Sequence, residues 1–77
     1  MFGEQLNKTR KLKGFTAQQM ADYLGVTIGS YRMYESNKRR PSFESLIKIS
    51  AKLEVSVDYL LGIEDYLKSL EAHVDEQ

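Results

Sequence analysis

The 77 residues allow one domain around one core, and a domain of that size folds with little stability to spare. Without cysteine the chain has no disulfide and no thiolate metal site, and the single His73 cannot build a metal centre alone. The formal net charge is zero, no run approaches the roughly 20 apolar residues of a membrane span, and the N-terminus has no signal-peptide core, so a cytoplasmic location is expected.

Helix signals stand at almost every boundary. The first helix is expected over residues 3–13, with Phe2, Leu6 and Leu12 as sparse apolar positions, Lys8, Lys11 and Lys13 in water, and Gly14 as its stop. Thr16 to Gln19 form a capping box: the Thr16 hydroxyl can accept from the N3 amide while Gln19 reaches back to the Thr16 amide. Phe15 and Met20 occupy the positions of a hydrophobic staple, and Ala17, Met20, Ala21 and Leu24 make one apolar stripe on the second helix. Gly25 ends it, supplying the positive φ that a sharp turn requires. Val26 alone separates this stop from the next cap, Thr27, and the third helix is expected to reach about residue 36.

Residues 37–41 make a basic loop closed by the only proline. Ser42 caps a fourth helix whose expected core face is Phe43, Leu46, Ile47, Ile49, Ser50 and Leu53. Ser56 caps a short fifth helix holding Val57, Tyr59, Leu60 and Leu61, stapled by Val55 and Leu60 and stopped at Gly62. Beyond it, Ile63, Tyr66, Leu67, Leu70 and Val74 recur at helical spacing. The expected fold is therefore all-α: a domain over residues 1–62 and a short amphipathic sixth helix or tail over 63–77.

Charge divides along the same line. Residues 1–41 carry eight bases and three acids, a net of +5, while residues 42–77 carry three bases and eight acids, a net of −5. Such asymmetry suits a protein that meets a polyanion on one face.

Two short helices joined by a tight glycine turn form a helix-turn-helix, which is what residues 16–35 offer. Ala21 is small where two helix backbones approach, and Tyr31 and Tyr34 point back to the core. Ile28, Gly29, Arg32, Met33 and Ser36 are left on the outer face of the third helix, the face that enters the major groove in this geometry. No nucleophile–base pair, metal cluster or phosphate loop is recognisable, so neither an enzyme nor a cofactor or small-molecule ligand is expected.

The segments Phe2-Gly3-Glu4-Gln5-Leu6, Met20-Ala21-Asp22-Tyr23-Leu24-Gly25-Val26-Thr27, Arg39-Arg40-Pro41-Ser42 and Val55-Ser56-Val57-Asp58-Tyr59-Leu60-Leu61-Gly62 carry a family resemblance in register. So do residues 10–16 and Tyr34-Glu35. Over residues 2–62 the chain resembles the Cro/C1-type (XRE-like) helix-turn-helix proteins of phage repressors and bacterial regulators. The resemblance implies a five-helix lambda-repressor-like domain, a recognition helix over residues 28–36, and binding to double-stranded DNA as a homodimer on paired half-sites about 34 Å apart. It also implies a structural ion pair between Arg10 and Glu35. Four departures stand out. Ala17 replaces a common phosphate-binding glutamine, Tyr31 a usual aliphatic residue and Asn37 a common glycine. Apolar residues stand where the family reads bases with polar ones.

The expected base-contacting residues are Ile28, Gly29, Arg32 and Met33. Arg32 can contact guanine, Ile28 and Met33 can meet thymine methyls, and Gly29 lets the backbone approach the duplex. Expected phosphate contacts are Gln18, Ser30, Asn37, Lys38, Arg39, Arg40 and Ser42. Dimerisation is expected through Ile63, Tyr66, Leu67 and Leu70. Two other roles fit the same fold: a protein-interaction module that docks a partner on the apolar recognition face, and an antitoxin that uses its acidic tail. The expected function is that of a small transcriptional regulator, bacterial or phage-encoded, of the repressor type.

Overall fold

The computed structural model describes residues 2–62, which form five α-helices and, among these residues, no strand. They are α1 (Phe2–Lys13), α2 (Ala17–Leu24), α3 (Ile28–Glu35), α4 (Phe43–Leu53) and α5 (Val57–Leu61). Local chemistry sets each start. Thr16, Thr27, Ser42 and Ser56 have extended backbones, and each side chain accepts from the amide three residues on, which satisfies one of the orphan donors of a helix start. At Thr16 the box is complete, with Gln19 Oε1 accepting from the Thr16 amide at 2.9 Å. At the far end of α2, Gly25 has φ 72°, and the Val26 amide donates to the Ala21 carbonyl.

The core is built from one stripe of each helix: Leu6 of α1, Met20, Ala21 and Leu24 of α2, Tyr31 and Tyr34 of α3, Ile49 and Leu53 of α4, and Leu60 of α5. Phe2, Phe15, Ala17, Val26, Ile28, Leu46 and Val55 pack around it half-buried. Each large apolar side chain taken out of water contributes about 1.5–3 kcal/mol, so the nine buried apolar residues among those described are a thin margin for a domain this small. Tyr31, the largest fully buried side chain among the described residues, meets Tyr34 edge to face with ring centroids 6.1 Å apart. Lys52 of α4 places its Nζ over both Phe15 and Tyr23, at 5.0 and 4.9 Å, and so ties α4 to the helix-turn-helix by cation–π contacts.

Two members of the expected core face of α4 lie outside. Phe43 is 75% exposed and Ile47 46% exposed. Ile47 sits two residues from Ile49, about 160° away around the helix, so both cannot face the same core. Phe43 is the first helical residue after the proline loop, one turn ahead of Leu46, where the core has ended. Leu12 is also exposed, at 73%, because only Leu6, Thr9 and Arg10 of the later α1 positions face the other helices. The expected sixth helix, with Ile63, Tyr66, Leu67 and Leu70, lies outside the described residues.

Among the described residues, two that are not glycine, Asn37 and Glu54, have positive φ. Glu54 caps the C-terminus of α4 at φ 56°, where a Cβ is unfavourable. Glu54→Gly is expected to stabilise the domain by about 0.5–1 kcal/mol, measured by urea denaturation.

Candidate nucleic-acid interface

The C-terminus of α3 is clamped by α1. Arg10 Nε donates to Glu35 Oε2 at 2.6 Å and Nη2 to Oε1 at 3.2 Å, a bidentate pair whose side chains are both only 11% exposed. Asn7 Nδ2 donates to Glu35 Oε1 at 2.7 Å, and Arg10 Nη1 to the Phe15 carbonyl at 2.9 Å. One guanidinium therefore joins α1, the entry to α2 and the end of α3.

About two turns earlier on α1, the Gly3 amide donates to Asn37 Oδ1 at 2.8 Å, and Asn37 Nδ2 donates to Glu4 Oε1. A Cβ on Gly3 would lie 2.3 Å from the Glu35 carbonyl oxygen, so glycine is what lets the two helix ends meet. Glycine at 3, Asn7 and the Asn37 side chain act together here. Sequence reasoning missed Gly3 and Asn7 because nothing local marks a contact 28 or 34 residues away in the chain.

Electrostatics keep the clamp charged. Its hydrogen bond to Glu35 raises the pKa of Arg10, against desolvation. Burial opposes ionisation of Glu35, but donations from Arg10 and Asn7 outweigh it and hold the carboxyl below its ordinary 4.5. The Tyr31 hydroxyl is buried beside the pair without a hydrogen bond of normal geometry. Burial first, and the neighbouring Glu35 carboxylate second, push the phenol far above its usual range, so it stays neutral.

Held this way, α3 turns its other face to solvent. Gly29, Arg32 and Ser36 are exposed, as is Met33 at 43%. Ile28 differs from its expected place: it is half-buried and packs on the core, because it stands next to the Thr27 cap at the edge of the outward face. The basic loop folds back along α3, where the Met33 carbonyl accepts from the amides of both Lys38 and Arg39. Lys38, Arg39 and Arg40 are exposed, and Arg39 Nη1 reaches Ser30 Oγ at 3.5 Å, the long end of the hydrogen-bond range.

The structure thus brings Ser30, Arg32, Met33 and residues 38–40 onto neighbouring ground. It gives other partners to three expected phosphate contacts: Asn37 holds the start of α1, Gln18 donates to Asp22 Oδ1 at 2.8 Å, and the Ser42 hydroxyl caps α4. Arg39 and Arg40 also rim a groove of about 450 Å³ lined by Phe2, Pro41, Leu46 and Leu61. No helix of the described residues is long and apolar enough to cross a membrane.

A helix-turn-helix family model matches residues 6–60. The chain is 52% identical over 61 residues to YqaE, an uncharacterised HTH-type transcriptional regulator of Bacillus subtilis (strain 168), covering 79% of this chain and 53% of the relative. It is 44% identical over 59 residues to the cryptic phage CTXphi transcriptional repressor RstR of Vibrio cholerae, covering 77% and 53%. The chain spans about half the length of these curated relatives. Among solved structures it is similar to SinR, the master regulator for biofilm formation, in complex with DNA. There the TM-score is 0.71 at 37% identity, over 79% of this chain and 98% of that one. A transcriptional regulator from Listeria innocua superposes with a TM-score of 0.73 at 27% identity, over 94% and 77%.

Because the folded pKa of Glu35 lies below its ordinary value, the stability it contributes is present above about pH 4.5 and is lost as pH falls through the lower folded value. Glu35→Gln is expected to cost about 1–3 kcal/mol at neutral pH and to flatten the acid limb of stability. Denaturant titrations from pH 7 down to pH 3 measure both.

Proposed function

This chain belongs to the helix-turn-helix family, and from that premise we propose that it is a DNA-binding transcriptional regulator that lays α3 in the major groove of a duplex. The observation that carries this reading is the juxtaposition of an outward, clamped α3 with the exposed bases at 38–40. Lys38, Arg39 and Arg40 neutralise phosphates and set the register. Arg32 offers a fork of donors to guanine, and Met33 an apolar contact for a thymine methyl. Few side chains reach the bases, so the shape and deformability of the site supply part of the selectivity.

The likeness to a phage repressor supports a repressor role, and the reading includes action in the cytoplasm, on the nucleoid. The reading includes a homodimer on paired half-sites. Residues 63–77, the expected dimer segment, lie outside the described residues, but the described domain has apolar surface of its own at Phe43, Ile47 and Leu61. The same surface favours a second reading, a protein-interaction module, in which α4 and α5 rather than α3 meet the partner.

Fluorescence titration against duplex DNA at several salt concentrations separates the two. Arg39→Ala and Arg40→Ala are each expected to weaken binding to every sequence and to make the slope of log K against log salt shallower by about one. Arg32→Ala is expected to lose about 1–3 kcal/mol at one base pair and little on random DNA. Absence of any salt-dependent binding would favour the interaction module.

A further inference from the structure

The centre of the outward face of α3 has no side chain. Successive helical residues are about 100° apart, so Gly29 lies about 170° around the helix from the midline of the buried pair Tyr31 and Tyr34. One turn on, Arg32 stands about 60° to one side of it and Met33 about 40° to the other. The usual structural reasons for a glycine are absent here. Its backbone is helical, and positive φ among the described glycines is confined to Gly14, Gly25 and Gly62. A Cβ built on Gly29 would find only Thr27 Oγ1, at an ordinary 3.9 Å, whereas the same atom on Gly3 would collide with the backbone of α3. The fold has room for alanine at 29, and α3 would be the more stable for it, since glycine is a poor helix former.

We propose that Gly29 is a close-approach position: the missing side chain lets the first turn of α3 seat its backbone against base-pair edges in the major groove. Discrimination at that point comes from exclusion, because any atom added to Gly29 would hold the helix away from the bases. Arg32 and Met33 flank the gap, so the depth to which Gly29 lets α3 settle also sets how far their side chains reach. This inference rests on the DNA-binding reading.

The test pairs a melting curve with two duplexes, one selected from a random pool by the wild-type chain and one of random sequence. Gly29→Ala is expected to melt several degrees higher than wild type, yet to bind the selected duplex about tenfold more weakly, with random DNA changed by less than about twofold. Undiminished affinity for the selected duplex would overturn the proposal. An equal loss on both duplexes would overturn it too, since the contact would then be to the phosphate backbone. If wild type bound neither duplex, the DNA-binding reading would fall first. Arg40→Ala, expected to lose affinity on both duplexes, reports whether phosphate anchoring is present at all.

Discussion

The guanidinium of Arg10 is the contact on which the rest of the domain depends. It pairs with Glu35 through two hydrogen bonds and holds the Phe15 carbonyl with a third, so α1, the start of α2 and the end of α3 share one anchor. An ion pair this enclosed is not retained for stability alone, since desolvation offsets much of its Coulombic gain. What it does provide is direction. Glu35 is the last residue of an eight-residue helix, too short to hold an orientation by itself, and fixing its end fixes which residues face outward.

Around that anchor the chain arranges a second set of constraints. Gly3 lets α1 approach the Glu35 carbonyl, and Asn37, in the left-handed conformation, bonds back to the first turn of α1. The basic loop leaves α3 from this fixed point, with its amides on the Met33 carbonyl, so residues 38–40 are carried on a short, backbone-bonded tether beside the outward face. A surface that must match a duplex over several contacts gains from such preorganisation, because less freedom is lost on binding. Tyr31 fills the space between the core and the ion pair and keeps its hydroxyl neutral there.

Much of this was legible in the sequence, and the division follows range. Thr16, Thr27, Ser42 and Ser56 announce helix starts through interactions spanning three residues, and Gly25 announces the turn through its own backbone, so each can be read locally. Ile47 was misplaced because hydrophobicity marks a helix face only when the positions agree with the period, and it diverges from Ile49 and Leu53, while Phe43 stands at the helix start, beyond the core. Asn7 and the Gly3–Asn37 contact were invisible for the opposite reason: their partners are far along the chain. Ile28 illustrates the intermediate case. A wheel places it at the edge of the outward face, and only packing against the core decides that it is half-buried.

The central claim is that the outward face of α3 and the loop after it are the DNA-binding surface. Amide chemical-shift mapping during titration with a short duplex tests it most directly. The account predicts perturbations concentrated at Gly29, Ser30, Arg32, Met33 and residues 38–40. Perturbations confined to Phe43, Ile47 and Leu61, with α3 unaffected, would contradict it.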